Sequence, residues 1–177
     1  MNENGGMSSK GPRILYCDGS CPTNGRKDAY GGWCFVEVCR DVDPDERLIN
    51  MVSGGEAPKR GKPKITSIRM ELLAAIRALE SVKEPSDIIL HSDSAYLING
   101  INDRWYMNWN MEGDRPYLKT PANLDLWGRL VELIRFHELR GPFKVKGIHI
   151  PGHKGHRWQE LCDSMARQRA NEARNKR

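Results

Sequence analysis

Apolar and polar positions along the chain change their period several times, and each change marks an element. "RILYC" at residues 13–17 is a short apolar run of β-type content, and "GGWCFVEVCR" at 31–40 repeats that character behind two glycines. "ERLINMVSGG", from residue 46, is a weaker third strand. Short connections between the three favour an antiparallel meander. A Pro/Gly-broken basic loop follows, "GEAPKRGKPK", with Lys59, Arg60, Lys62 and Lys64. In "TSIRMELLAAIRALESVKEP" the period becomes helical: Leu72, Ile76 and Leu79 share a face among strong helix formers, and Pro85 stands beyond the end.

"DIILHSD" reads as a buried strand, and "SAYLINGI" as a short helix that Ser92, Asp93 or Ser94 could cap. "NLDLWGRLVELIRFHEL" is amphipathic and is stopped by Gly141-Pro142, "FKVKGIHI" alternates as a last strand, and Trp158, Leu161, Cys162 and Met165 mark a final helix that leads into a basic tail. The order β-β-β-α-β-α-α-β-α predicts an α/β fold with a mixed five-stranded sheet, part meander and part parallel, flanked by helices. The helical crossover would make strands one and four parallel, so their carboxyl ends would reach the same edge. Asp18 and Asp93 are expected at those two ends.

The bulk properties restrict the class of protein. At 177 residues with 38% hydrophobic and 29% charged positions the chain suits one globular domain: residues 13–173 between a flexible N-terminal tail, 1–12, and a basic C-terminal one, 174–177. No apolar run approaches the roughly 18 residues a membrane span needs, and the N-terminus lacks an apolar signal core. A cytoplasmic monomer, with no membrane partner, is the expectation. Five cysteines without a C-x-x-C pair read as reduced thiols. A net charge of +5 permits a polyanionic partner.

The chemistry lies in four acids. Taken singly, Asp18 before Gly19 reads as a turn, Asp93 as a helix cap, and Glu71 and Asp163 as acids that complement a helix dipole. As a set they occupy two strand ends and two early helical turns, all places a compact fold can bring together. Four converging carboxylates must hold protons or bind cations. Oxygen-only ligation suits Mg²⁺ or Mn²⁺, and two such ions about 4 Å apart form the clamp used for in-line displacement at phosphorus. A zinc reading of His149, His153, His156 and Cys162 fits no standard spacing.

"YCDGSC", "IRMELLAAIRALE", "LHSDSAYLINGI", "NLDLWGRL" and "GHKGHRWQELCDSMAR", in that order, resemble ribonuclease H, type 1. The resemblance implies a ribonuclease H-like fold and endonucleolytic cleavage of the RNA strand of an RNA–DNA hybrid with two Mg²⁺ ions, leaving 5′-phosphate and 3′-hydroxyl ends. It implies Asp18, Glu71, Asp93 and Asp163 as the metal ligands and catalytic acids, and His153 as a loop histidine that handles protons or assists product release. By the same resemblance Asn24 contacts the RNA strand, and Thr66 and Asn123 grip a phosphate of the DNA strand. Gly19, Ser20 and Ser94 lie beside the acids, where they would read the 2′-hydroxyl that distinguishes RNA.

The chain departs from the family pattern in three places. Ser67 and Ile68 replace two amide side chains, and Ala95 stands where Gln is usual. The segment 104–122, which corresponds to a basic handle, holds Arg104, Arg115 and Lys119 against Glu112 and Asp114 and is nearly neutral. Trp105 and Trp109 in that segment suit either helix packing or stacking on nucleic acid. The basic loop before Thr66 is longer than in compact members and is expected to take over part of the handle's role.

Overall fold

The structure, a computed structural model, describes residues 11–40, 46–111, 118–152 and 155–176. Three strands open the chain: β1 (Arg13–Ser20), β2 (Gly31–Arg40) and β3 (Glu46–Glu56). Then come α1 (Ser67–Ser81), β4 (Ile88–Ser92), α2 (Ala95–Asn102), a single 3-10 turn (Trp105–Asn108), α3 (Leu124–Glu138), β5 (Val145–His149) and α4 (Arg157–Asn175). The five strands form one sheet in the order β3-β2-β1-β4-β5. β1 runs antiparallel to β2 and parallel to β4, and β4 runs parallel to β5. The mixed sheet read from the sequence is therefore present, with the predicted element order.

Strand alternation divides the core in two. Leu15, Cys17 and Phe35 face Leu72 and Leu79 of α1 and Trp127 and Leu130 of α3. Ile14, Tyr16, Cys34 and Val36 face Trp158, Cys162 and Ala166 of α4. Successive residues of β1 thus point into different layers, so Asp18 follows Tyr16 toward the α4 side while Gly19 follows Cys17 toward α1. Burial of these apolar side chains is the main force holding both helical layers to the sheet.

Three expectations need correction. Asp18-Gly19-Ser20 is not a turn, nor the end of a strand: all three residues lie in β1, paired to Cys34, Trp33 and Gly32 of β2. The turn follows at Pro22–Gly25, with Gly25 at φ 84°. The three-residue extension exists because β2 is long enough to satisfy the backbone groups of β1 to its end. Second, Glu71 and Asp163 lie beyond the first turns of α1 and α4, so dipole complementation does not account for them; the first-turn acid of α4 is Glu160. Third, α4 continues to Asn175, so the helix takes in the first two residues of the expected basic tail, and it is tied to β2 and β3 through Ala170 and Ala173 packing near Gly32 and Gly55.

Candidate active site

The parallel ladder of β1 and β4 ends at the pair Tyr16–His91. Beyond it the strands part, β1 continuing along β2 and β4 ending at Ser92. Asp18 and Asp93 lie just past this parting, at the carboxyl end of the parallel ladder, where an open α/β sheet forms a crevice. Asp18 is buried, with 6% of its surface exposed, and its Oδ1 accepts the Gly19 N–H at 2.6 Å.

Close backbone contacts bring the helices to this crevice. A Cβ on Gly19 would lie 2.2 Å from the Glu71 nitrogen and 2.2 Å from the Met70 carbonyl carbon. The absent side chain therefore lets α1 rest directly on β1 with Glu71 beside Asp18. On the other face a Cβ on Gly32 would lie 2.0 Å from the Ala166 oxygen, so α4 rests on β2 in the same manner, one turn from Asp163. Glu71 is held from a second direction: Ser94 Oγ donates to its Oε2 and accepts the Leu97 N–H at 3.4 Å as the cap of α2. Asp93 is not that cap, although it was one of the three candidates. Its backbone carbonyl lies 3.0 Å from His149 Nε2.

The electrostatics follow from this crowding. The Asp18 carboxyl is pushed up to about 8, chiefly by burial and then by Asp93 and Asp163, with a smaller push from Glu71 and the Gly19 N–H opposing. Burial also raises Glu71, with Ser94 opposing and Asp93 adding to the rise. Asp163 is paired with Arg167 at 2.9 Å, one turn along α4. The buried Cys17 thiol beneath Asp18 is held well above its usual range by its own burial and then by the negative charge of Asp18.

All four predicted acids thus bear on one crevice. Among the described residues, no three His, Cys, Asp or Glu side chains close around a single point at ligating geometry. Their chemistry nonetheless suits a hard divalent cation: the donors are all carboxylate oxygens, and Asp18 remains ionised at neutral pH only at a cost that a cation would remove. Cys162 is not a donor to this crevice. It is buried and lies 3.5 Å from the Tyr16 carbonyl. His153 lies outside the described residues.

The expected substrate-binding residues line the approach from the α1 side. Asn24 lies in the turn after β1 and accepts the Ser67 N–H at 3.2 Å. Thr66 caps α1 through its Oγ1, which accepts the Arg69 N–H at 3.2 Å. Asn123, at φ 61°, begins α3 and accepts from Arg69 Nη1 at 3.1 Å. Gly19 and Ser20 are partly exposed at the end of β1, and Ile68 projects into solvent at 41% exposure.

Three residues beyond those predicted matter here. Arg69 joins the first turns of α1 and α3, since its guanidinium also holds Asp125 at 2.9 and 2.6 Å. It lies inside the R-M-E-L motif, which carried the signal without showing its partner. Gln159 donates to the Cys17 carbonyl at 3.4 Å beneath the acids, leaving Oε1 buried and unpaired among the described residues. His149 supports the Asp93 backbone. Nothing in the sequence marks either of the last two, because each contact spans a distant pair of elements. Trp105 and Trp109 are packed edge-on in a cluster with Tyr96 and Trp127, at ring separations of 5.1–6.4 Å. Helix packing is thus their structural role.

Four acids thus gather where β1 and β4 part, on a mixed five-stranded sheet flanked by helices. The sequence model of the family RNase H matches residues 10–171, and the chain belongs to this family of nucleases. It is 37% identical to the ribonuclease H of Chlorobium phaeobacteroides (strain BS1) over 155 residues, 87% of this chain and 92% of the relative. It is also 37% identical to that of Pseudomonas fluorescens (strain Pf0-1), covering 90% and 91%. Among solved structures it resembles LC9-RNase H1, a type 1 RNase H with the type 2 active-site motif, at TM-score 0.67 and 25% identity, covering 91% of this chain and 72% of that one. The same fold occurs in LC11-RNase H1, solved in complex with RNA/DNA hybrid, at TM-score 0.60 and 17% identity over 91% and 98%. No helix among the described residues is long and apolar enough to cross a membrane.

Proposed function

We propose that this protein is a cytoplasmic, monomeric endonuclease that cuts the RNA strand of RNA–DNA hybrids, leaving 5′-phosphate and 3′-hydroxyl ends. The observation that carries the reading is Asp18, a buried carboxyl pushed up to about 8 by burial and by three neighbouring acids. Such crowding destabilises the cation-free protein and is therefore suited to holding positive charge. Asp18, Glu71, Asp93 and Asp163 would hold Mg²⁺ or Mn²⁺, two ions in all. When bound, these ions supply Lewis-acid charge to the phosphoryl group and to its attacking and leaving oxygens.

The chain's own residues do the rest. Ser94 fixes the Glu71 carboxylate, and the Gly19 backbone fixes that of Asp18, so the ligands are held before substrate arrives. The partly exposed groups at Gly19 and Ser20 offer hydrogen bonds to a 2′-hydroxyl, the feature that separates RNA from DNA; Ser94, also expected there, is buried with its hydroxyl committed to Glu71. Asn24, Thr66 and Asn123 hold the duplex from the α1 side. His153, between β5 and α4 in the sequence, would exchange protons with the product or speed its departure. The hybrid bound in the LC11-RNase H1 complex supports the choice of substrate.

The test is cleavage of labelled RNA–DNA hybrid, single-stranded RNA and duplex DNA in Mg²⁺. Selective cutting of hybrid RNA is expected, with Asp93→Asn folded but inactive. Equal cutting of duplex DNA, or full activity in Asp93→Asn, would overturn the proposal.

A further inference from the structure

Beside the crevice, on the other side of the first turns of α1, lies a groove of about 990 Å³. Its floor is apolar, built from Ile65, Met70, Leu73 and Leu124, and the loop carrying Lys59 and Lys62 forms one wall. The loop has a defined shape: Lys62 N–H closes a turn onto the Lys59 carbonyl at 3.1 Å, with Gly61 at φ 74°. Lys59, Arg60, Lys62 and Lys64 are all exposed, and none has a carboxylate partner among the described residues. Several arginines elsewhere are not free in this way. Arg69, Arg77, Arg104, Arg129, Arg167 and Arg169 are all paired with acids. Two acids line the groove: Asp125, neutralised by Arg69, and Glu56 at the end of β3.

The position of the groove adds to its charge. α1 and α3, each of 15 residues, begin at it, and both present the positive end of the helix dipole. The near-neutral 104–122 segment cannot supply the same charge: of its described cations, Arg104 is bound to Glu138 at 2.9 Å, which leaves Lys119. Free cations at the rim and an apolar floor complement a sugar–phosphate backbone, with phosphates on the rim and sugar faces on the floor.

We infer that the 57–65 loop and the groove beneath it grip the phosphodiester backbone of the substrate duplex beyond the cut site, as a second anchor that supplies much of the electrostatic binding. This rests on the proposed hybrid-cutting activity. The grip is expected to appear as salt dependence, because each phosphate neutralised releases counterions.

The test measures binding of fluorescent hybrid in Mg²⁺ across a salt series, on an Asp93→Asn background that stops turnover. Changing Lys59, Arg60, Lys62 and Lys64 together to Gln should weaken binding roughly 10- to 100-fold near 0.1 M salt and lower the slope of log K against log salt by about 2–3. A control that neutralises Lys83, Arg140, Lys144 and Lys146, near the opposite ends of the strands, should leave the slope within about 1. Unfolding midpoints confirm that both variants are folded. Trimming the DNA or the RNA strand on the groove side identifies the strand held, since loop variant and parent then converge. An unchanged slope in the loop variant, or an equal fall in the control, overturns the inference even if the unaltered protein cuts hybrids. Absence of hybrid cutting by the unaltered protein would instead defeat the proposed function.

Discussion

Ser94 Oγ donates to Glu71 Oε2 while accepting the Leu97 N–H, so one hydroxyl both caps α2 and aims an acid of the crevice. Ser94→Ala is expected to cost about 1 kcal/mol for the cap and to lower cleavage at saturating substrate by about tenfold. Ser94→Thr, which keeps the hydroxyl, should restore most of both. Urea unfolding and hybrid cleavage, run on all three proteins, check this. Equal activity in the Ala and Thr variants would show that the bond to Glu71 does not matter.

Asp18 makes stability depend on pH in an unusual direction. Its folded carboxyl titrates at about 8, above the usual value of 3.8, so between these values the native state binds the extra proton. Stability without divalent cations therefore falls as pH rises through this window. Asp18→Asn removes the penalty. It should be inactive yet more stable than the parent in EDTA, by about 1–3 kcal/mol at pH 8.5 and by much less at pH 4. Added Mg²⁺ should stabilise the parent at pH 8.5 and not the variant. Denaturant titrations at the two pH values test both statements.

Gly19 is required for its lack of volume. Gly19→Ala would place a methyl group within 2.2 Å of the α1 backbone, and backbone cannot rotate away as a side chain can. We expect a loss of about 1–3 kcal/mol and a fall in activity larger than that loss explains, because α1 carries Glu71. Retention of full activity at a temperature where the variant is folded would refute the spacing argument.

Arg69 holds Asn123 and Asp125 across the first turns of two helices. Asp125 is half exposed, so the pair itself contributes little, about 0.5–1 kcal/mol. The larger effect of Arg69→Ala should be on substrate: a several-fold rise in KM with a smaller change in kcat. Steady-state kinetics distinguish this from a fall in kcat alone.

Much of this could be read from the chain. The period changes placed the five strands and four α-helices, most of which have one apolar face or a continuous apolar run; β3, mostly exposed, gave the weakest signal. The four acids were visible as a set because each interrupts or borders such a run. Other features were not visible. Asp-Gly is so common in turns that local chemistry could not show β1 continuing through it; that depends on the length of β2, a distant partner. The bonds from Ser94 to Glu71, Arg69 to α3 and His149 to Asp93 join residues 23 to 56 positions apart. Sequence supplies the partners of such bonds and not their meeting. The loop cations were legible as charge, but not as the wall of a groove.

The seating of α1 on Gly19 and of α4 on Gly32 has a consequence for how the molecule tolerates change. Main chain rests on main chain at both places, so the separation of the two helices across the sheet is fixed by covalent dimensions. The bulk of the surrounding side chains contributes little to it. Exchanges such as Leu72→Met or Val36→Ile should alter folding energy while leaving the acids in register. Resilience of the fold and accuracy of the crevice are thus largely decoupled, and the interior is free to drift around a catalytic spacing that stays constant.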